Sequence, residues 1–166
     1  MLRMVLVIDG ENFMGQAWSV RQWPDFLGLR EFLLSRRAGA FLLKVIAYLP
    51  LPPKGHARRE DAEKLHEFLR ARGFEVEVKE GVAREDGSFE ANLDTDVAAG
   101  VMELALTRRP DLVLLVSGDG DFASLCRRLL RWGIHTEVAS LPRRLSGRLR
   151  KAACSVINLE PFFKAA

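Results

Sequence analysis

A chain of 166 residues suits one domain and leaves little room for a second, so we expect a single domain over residues 1–166. Hydrophobic residues make up 48% and charged residues 28%, an ordinary globular composition that excludes a disordered or fibrous chain. The net charge is only +3. The basic residues are concentrated, however, because residues 127–151 hold eight arginines and lysines and one acid, Glu137. This pattern indicates either a polyanionic partner or a solvated arginine-rich helix face.

The chain lacks the marks of a secreted or membrane protein. No apolar run is long enough to cross a membrane, and the apolar N-terminal run is too short for a signal peptide. Cys126 and Cys154 lack the CxxC spacing of a metal or redox site and lie in apolar surroundings. We therefore expect a cytoplasmic protein in which both cysteines are reduced core residues.

The hydrophobic pattern alternates strands with helices along the chain. Runs typical of strands cover residues 4–8, 41–49, 74–79, 112–116, 134–139 and 156–159. Apolar residues at helical spacing predict a short helix that begins at Phe13 and further helices over residues 25–37, 57–72, 93–107 and 122–132. A basic helix is predicted over residues 141–152. Asn12 is the expected N-cap of the first helix. Residues 74–79 alternate apolar and charged side chains as an edge strand does, and residues 80–92 read as a loop or small hairpin.

This alternation predicts an α/β fold, a three-layer αβα sandwich with a mostly parallel central sheet. Crossovers in parallel sheets are right-handed, so the loops that follow the strands emerge at one edge of the sheet. That edge would collect residues 9–12, 50–59, 118–121 and 140–144.

Carboxylates follow two of the predicted core strands. The topology alone brings Asp9, Asp119 and Asp121 to one edge, and Asp94 and Asp96 begin a helix that can reach the same place, with only one of the two expected to point inward. Such a cluster repels itself unless a cation is present, and hard oxygen ligands suit Mg²⁺ or Mn²⁺. A neutral amide next to the cluster, on Asn12, would orient a water or a phosphate oxygen.

Each of these residues also has an ordinary explanation. Asp9 before a glycine is common in turns, and Asp121 is placed to cap the helix predicted from residue 122. Whichever of Asp94 and Asp96 faces outward would complement the helix dipole. Ser117 could contact a ligand, but a small residue at a crowded turn is the simpler interpretation. Any one of these acids could lie at this edge for an unrelated reason. It is far less expected that all of them do.

Further side chains are candidates for contacts with a polyanion. The basic residues expected on the same edge are Lys54, His56, Arg58, Arg59, Arg143 and Arg144. Phe13, Trp18 and Trp23 could stack on bases, although packing within the protein is the favoured interpretation for all three. The mid-helix His66 reads as a surface residue.

Three segments together carry a resemblance to a known family. The sequence VIDGEN at residues 7–12, LDTD at 93–96 and LVSGDGDF at 115–122 resemble, in this order, the NYN domain family, the LabA-like branch of the PIN-related nucleases. The resemblance extends over residues 4–159. It implies a PIN-like fold, RNA cleavage that depends on Mg²⁺ or Mn²⁺, and single-stranded RNA as the expected partner. By motif position, the acidic site would comprise Asp9, Asn12, Asp94, Asp119 and Asp121, with Asp96 and Ser117 as additional candidates.

One position departs from the family pattern. The family often carries another aspartate six residues after the middle one, where this chain has Gly100. The change leaves open whether one or two metal ions bind and whether the site is fully active. A metal-dependent endoribonuclease is therefore the leading hypothesis. The alternatives are a non-catalytic RNA-binding or regulatory module with a degenerate metal site, which Gly100 favours, and a phosphatase for small substrates. The sequence leaves homo-oligomer formation open.

Overall fold

A six-stranded parallel sheet forms the centre of the computed structural model, which describes residues 1–165. Its strands lie in the order β3-β2-β1-β6-β7-β8, and β4 and β5 form a separate antiparallel hairpin. The strands are β1 (Arg3–Asp9), β2 (Phe41–Leu51), β3 (Glu75–Glu80), β4 (Val82–Ala83), β5 (Phe89–Glu90), β6 (Leu112–Val116), β7 (His135–Ser140) and β8 (Ser155–Asn158). The predicted parallel sheet, the edge position of β3 and the hairpin are all confirmed.

Helices cover both faces of the sheet, which completes the predicted three layers. They are α1 (Gly10–Ser19), α2 (Phe26–Ser35), α3 (Arg59–Ala71), α4 (Asp94–Thr107), α5 (Ala123–Arg131), α6 (Gly147–Ala152) and α7 (Glu160–Lys164). No helix within residues 1–165 combines the length and apolar character needed to cross a membrane.

Strand β1 divides the hydrophobic core into two parts. Its even-numbered side chains, from Met4 to Ile8, pack in a cluster with α1, α2, α3 and α7, whereas Val5 and Val7 pack in a second cluster with α4, α5 and α6. Successive strand residues point to opposite faces, so a strand with helices on both sides must be apolar throughout. This requirement explains the unbroken apolar run before Asp9.

The structure corrects the predicted starts of two helices. Helix α1 begins at Gly10 and is capped by the Asp9 carboxylate, which accepts a hydrogen bond from the Asn12 amide at 3.4 Å, so Asn12 is not the cap. The predicted basic helix 141–152 is shorter because a 3₁₀ turn at Pro142–Arg144 and the extended Leu145 precede it. Its actual start is Ser146, whose hydroxyl accepts from the Arg148 amide at 3.2 Å.

Two further expectations, both about burial, were wrong. His66 is buried rather than on the surface, because α3 turns it toward β2, and Cys154 is exposed at the start of β8 rather than in the core. Cys126 is buried as predicted. The short helix α7 was not predicted; it is held by Phe162 and Phe163, whose rings lie against Phe13. A five-residue helix is too short for its spacing to show as a period in the sequence.

Close packing at Gly10 gives a testable prediction. A Cβ there would overlap the Leu49 side chain and lie 2.5 Å from the Tyr48 carbonyl oxygen. Because that oxygen belongs to the backbone of β2, the clash cannot be relieved by a side-chain rotation. We expect Gly10→Ala to lower the free energy of unfolding by about 1–3 kcal/mol.

Gly147 provides the matched control for this substitution. It is also the first residue of a helix, but a Cβ there would meet nothing within 4 Å. Gly147→Ala should change the stability by less than about 1 kcal/mol, in the stabilising direction. Urea denaturation of both variants is the measurement, and equal stability of the two would contradict the packing described at Gly10.

Candidate metal centre

The centre of the site is the junction between the ends of β1 and β6. These strands pair in parallel, with Ile8 opposite Val116, so Asp9 and Ser117 lie side by side where the strands end. The loop after Ser117 then carries Asp119 and Asp121 along the same edge. The predicted meeting of the two acidic strand ends is therefore present.

Asp9 is a buried carboxylate held by two neighbours. Its Oδ2 accepts a hydrogen bond from the Ser117 hydroxyl at 2.8 Å, and its Oδ1 accepts from the Asn12 amide. Burial raises the pKa of Asp9 to about 6, against the lowering effect of the Ser117 hydrogen bond. The Ser117 Oγ also accepts from the Asp119 amide at 3.1 Å. Ser117 thus joins Asp9 to the acidic loop and is more than a small residue at a crowded turn.

Three carboxylates converge next to Asp9. One oxygen atom from each of Asp94, Asp119 and Asp121 lies within 4.8 Å of the other two. Asp119 accepts from the Asp121 amide at 2.9 Å, so Asp119, and not Asp121, caps the 3₁₀ turn Gly120–Phe122. At the start of α4, the Asp94 amide donates to the Asn92 side chain at 2.9 Å. We call Asp94, Asp119 and Asp121 the acidic cluster.

The electrostatics of the acidic cluster favour a cation. Burial, and after it the charge of Asp119, raises the pKa of Asp94 to about 7. A pKa raised by a neighbouring carboxylate means that the negative charges are poorly compensated. Within residues 1–165, the one basic side chain paired with the cluster is Arg148, which approaches the exposed Asp121 at 3.3 Å. Such an exposed pair contributes at most about 1 kcal/mol. Three carboxylates with no nitrogen or sulfur donor fit Mg²⁺ or Mn²⁺.

Asp9 faces the same cavity as the cluster without being one of the three converging acids. A cavity of about 470 Å³ is lined by Asp9, Asp94 and Asp119 together with Asn12, and its far wall is formed by Phe89 and the neighbouring hairpin residues. Asp9 also adds to the repulsion that raises the pKa of Asp94. Four of the five predicted acidic-site residues therefore line this cavity, and Asp121 joins them through the cluster.

Asn12 is fixed by a network that the sequence did not reveal. Its Oδ1 accepts from the Gly118 amide at 3.0 Å and from Gln16 Nε2 at 2.8 Å. The buried Gln16 accepts in turn from the Leu141 amide at 2.7 Å. With Oδ1 engaged, Asn12 offers its Nδ2 group, which is a donor and therefore suits a phosphate oxygen or a water better than a metal ion. The spacing of Asn12 and Gln16, one helical turn apart, is the signal that could have identified Gln16.

Asp96 and Gly100 lie away from the acidic cluster. Asp96 pairs with Lys79 at 3.0 Å and, with Gly100, lines a separate groove of about 620 Å³ between α4 and strands β2 and β3. A Cβ at Gly100 would overlap the hydroxyl of the buried Tyr48. Asp96, an additional candidate from the sequence, therefore lies outside the acidic cluster. The glycine leaves the three converging carboxylates intact.

The predicted basic residues divide into two groups. Arg143 and Arg144 line a recess with Asn12 and Gly118 beside the cluster, and Arg144 donates to the Gly15 carbonyl at 3.2 Å. On the other side, the His56 ring lies edge-on to Phe89, with 5.2 Å between ring centroids. Lys54 and Arg58 are exposed in the same loop. Arg59 is directed away from the cavity, since it binds Glu63, Glu80 and the Pro52 carbonyl.

The tryptophans do not pack as expected. Phe13 is fully buried, in agreement with its predicted core role, but 47% of Trp18 and 88% of Trp23 are exposed. The prediction of packing roles for these two was wrong because α1 turns only one side toward the sheet and Trp23 follows its end. The Arg58 guanidinium lies over the Trp18 ring, 5.8 Å from its centroid.

Comparisons with known proteins support the family resemblance and the fold. The family model described as "NYN domain" matches residues 3–160. A crystal structure of a protein of unknown function from Vibrio parahaemolyticus is similar with a TM-score of 0.76 and 24% sequence identity, over 98% of this chain and 95% of that one. At that identity the likeness concerns the fold. A comparison with curated proteins finds no match.

The raised pKa of Asp94 predicts a pH-dependent stability in the absence of divalent ions. The folded value of about 7 exceeds the ordinary value of 3.8, so the folded state binds the proton more tightly than the unfolded state. The contribution of Asp94 to the free energy of unfolding is fully present below about pH 4 and is lost as the pH rises through 7. In EDTA at pH 8, Asp94→Asn should be more stable than wild type by about 1–2 kcal/mol after allowance for solvent screening, and the gain should shrink toward pH 4.

Asp96→Asn is the matched control, since Asp96 lies in the same first turn of α4 but pairs with Lys79. Urea unfolding at pH 5 and pH 8 should show no gain for this variant. Added Mn²⁺ should stabilise wild type and reverse its order with Asp94→Asn. If Asp94→Asn and wild type were equally stable at pH 8 in EDTA, the repulsion within the cluster would be disproved.

Proposed function

The chain belongs to the NYN domain family, within the PIN-like nuclease superfamily, and on this premise we propose that it is a metal-dependent endoribonuclease that hydrolyses RNA phosphodiester bonds. The single observation that carries the proposal is the convergence of Asp94, Asp119 and Asp121 at the carboxyl edge of the parallel sheet. This edge is where α/β folds place their sites. We further propose that residues 1–166 act as one domain.

Each residue of the site has a proposed role. Asp94, Asp119 and Asp121 would hold Mg²⁺ or Mn²⁺, and the buried Asp9 would add a fourth carboxylate whose position Ser117 fixes. Such an ion supplies stabilisation of the negative charge that develops on a phosphodiester during in-line attack. Asn12 would donate from Nδ2 to a phosphate oxygen or to the attacking water, because Gly118 and Gln16 hold its Oδ1.

Basic side chains on both sides of the cavity would bind the RNA backbone. Arg143 and Arg144 line the recess beside the cluster on the side of the β7 loop. On the other side, His56 contacts Phe89 of the cavity wall from the β2 loop, which also carries the exposed Lys54 and Arg58. Contacts of this kind give affinity without sequence preference and make binding weaken steeply with salt. The choice of RNA over DNA rests on the family, since nothing in these contacts reads a 2′-hydroxyl.

The proposal is tested by incubating labelled single-stranded RNA with Mn²⁺ or Mg²⁺. We expect wild type to cleave it, EDTA to abolish cleavage and Asp119→Asn to reduce the rate by at least about 100-fold, because a carboxylate that holds the ion is lost. Asp96→Asn serves as the matched control and should retain cleavage, since Asp96 lies outside the cluster.

Other outcomes would identify the alternatives. Equal cleavage by wild type and Asp119→Asn would show a contaminating nuclease and contradict the proposal. Salt-sensitive RNA binding without cleavage would indicate a non-catalytic binding module, which the glycine at position 100 favours. Release of phosphate from nucleotides without cleavage of RNA would indicate a phosphatase.

A further inference from the structure

We propose that the half-exposed Trp18, together with the Arg58 guanidinium over its ring, stacks on a base of single-stranded nucleic acid, at the end of a line of residues that leads to the acidic cluster. We call Phe89, His56, Arg58 and Trp18 the stacking track. The proposal rests on the proposed function for the role of the cluster, but it concerns binding and is tested without catalysis.

Two pairs of side-chain contacts, joined through the backbone of one loop, connect the four residues. Phe89 lines the cavity that also contains Asp94 and Asp119, and the His56 ring lies edge-on to Phe89. The backbone amide of Arg58 donates to His56 Nδ1 at 3.1 Å, which fixes the His56 ring within the loop that carries Arg58. The Arg58 guanidinium in turn lies over the Trp18 ring. The track therefore links the wall of the cavity to α1 through the loop that follows β2.

Trp18 leaves a large apolar surface exposed on α1, the helix that begins at the site. Helix α1 buries Phe13 and Ala17 completely, yet the next residue leaves 47% of a large indole in contact with solvent. Burying that surface would be favourable by about 25 cal/mol per Å², so an exposed indole beside a site is typical of a surface that binds something. Arg58 and Lys54 next to it are exposed and positive, which matches a polyanion.

Aromatic rings next to exposed cations match one class of polyanion in particular. Rings stack on unpaired bases and the cations neutralise phosphates, an arrangement found where proteins bind single strands without sequence preference. A duplex keeps its bases within its own stack and offers Trp18 only its backbone. The geometry therefore favours a single strand.

The dimensions set the length of strand that the track can hold. Trp18 lies eight residues beyond Gly10 on α1, which corresponds to about 12 Å along the helix axis. At about 3.4 Å per stacked nucleotide, three or four nucleotides span this distance. Oligonucleotides shorter than about four nucleotides should not reach both the cluster and Trp18.

The experiment measures binding in a protein that cannot cleave. The Asp119→Asn variant in EDTA is titrated with fluorescently labelled oligo(U), and the anisotropy gives the dissociation constant. Adding Trp18→Ala should raise this constant about tenfold, whereas Trp18→Phe, which keeps an aromatic face, should restore most of the affinity. Trp18→Ala should leave the salt dependence unchanged, and Arg58→Ala should reduce its slope by about 1.

Trp132 provides the matched control. It is exposed to nearly the same extent, 49%, but it follows the end of α5, at the opposite edge of the sheet from the cluster. Trp132→Ala should not change oligo(U) binding. Binding of a blunt RNA duplex should be unaffected by Trp18→Ala.

Clear outcomes would overturn the inference. It fails if the Trp18→Ala and Trp132→Ala variants bind oligo(U) equally well, or if Trp18→Ala weakens duplex binding as much as single-strand binding. It also fails if Trp18→Ala changes the sedimentation of the protein alone, because Trp18 would then belong to a contact between copies.

The two proposals fail separately. Wild type that cleaves RNA while Trp18→Ala binds normally contradicts the track alone, and tenfold weaker binding with no cleavage by wild type contradicts the nuclease alone.

Discussion

The parallel pairing of β1 with β6 is the constraint on which the rest of the site depends. It sets Asp9 beside Ser117, and the single Ser117 hydroxyl then binds the Asp9 carboxylate and the Asp119 amide. A shift of one residue in this register would turn each β1 side chain to the other face of the sheet. It would also separate Asp9 from Ser117. The apolar packing on both faces of β1 therefore fixes the register, and through it the position of the acids.

A second set of contacts ties the loops to α1. Asn12 and Gln16 lie one turn apart and hold Gly118 after β6 and Leu141 after β7 through main-chain amides. Buried polar groups of this kind are costly unless every partner is present, so the network allows few other arrangements of these loops. The carboxylates of the cluster repel one another. The hydrogen bonds from Asn12 and Gln16 hold the adjacent loops in place against this repulsion.

Much of this could be predicted from the sequence, and the reasons for the failures are physical. Strands buried on both faces and right-handed crossovers predict the sheet and the common edge of Asp9, Asp119 and Asp121, because these follow from local pattern and chain topology. Side-chain direction is a different matter. Whether Asp94 or Asp96 points inward depends on how α4 rotates over the sheet, and the exposure of Trp18 and burial of His66 depend on which side of each helix meets a neighbour. Hydrophobic periodicity predicts which face of a helix is buried, but it does not predict whether a residue at the edge of that face is buried or exposed.

The contact between Gly100 and Tyr48 has a consequence for how this chain can vary. The buried ring of Tyr48 places its hydroxyl where a side chain at position 100 would begin, and burial together with nearby glutamates raises the pKa of Tyr48 to about 12. An aspartate at position 100 would meet this ring in a setting that is already negative. A larger residue at position 100 therefore requires a smaller side chain at position 48, so the two positions constrain each other.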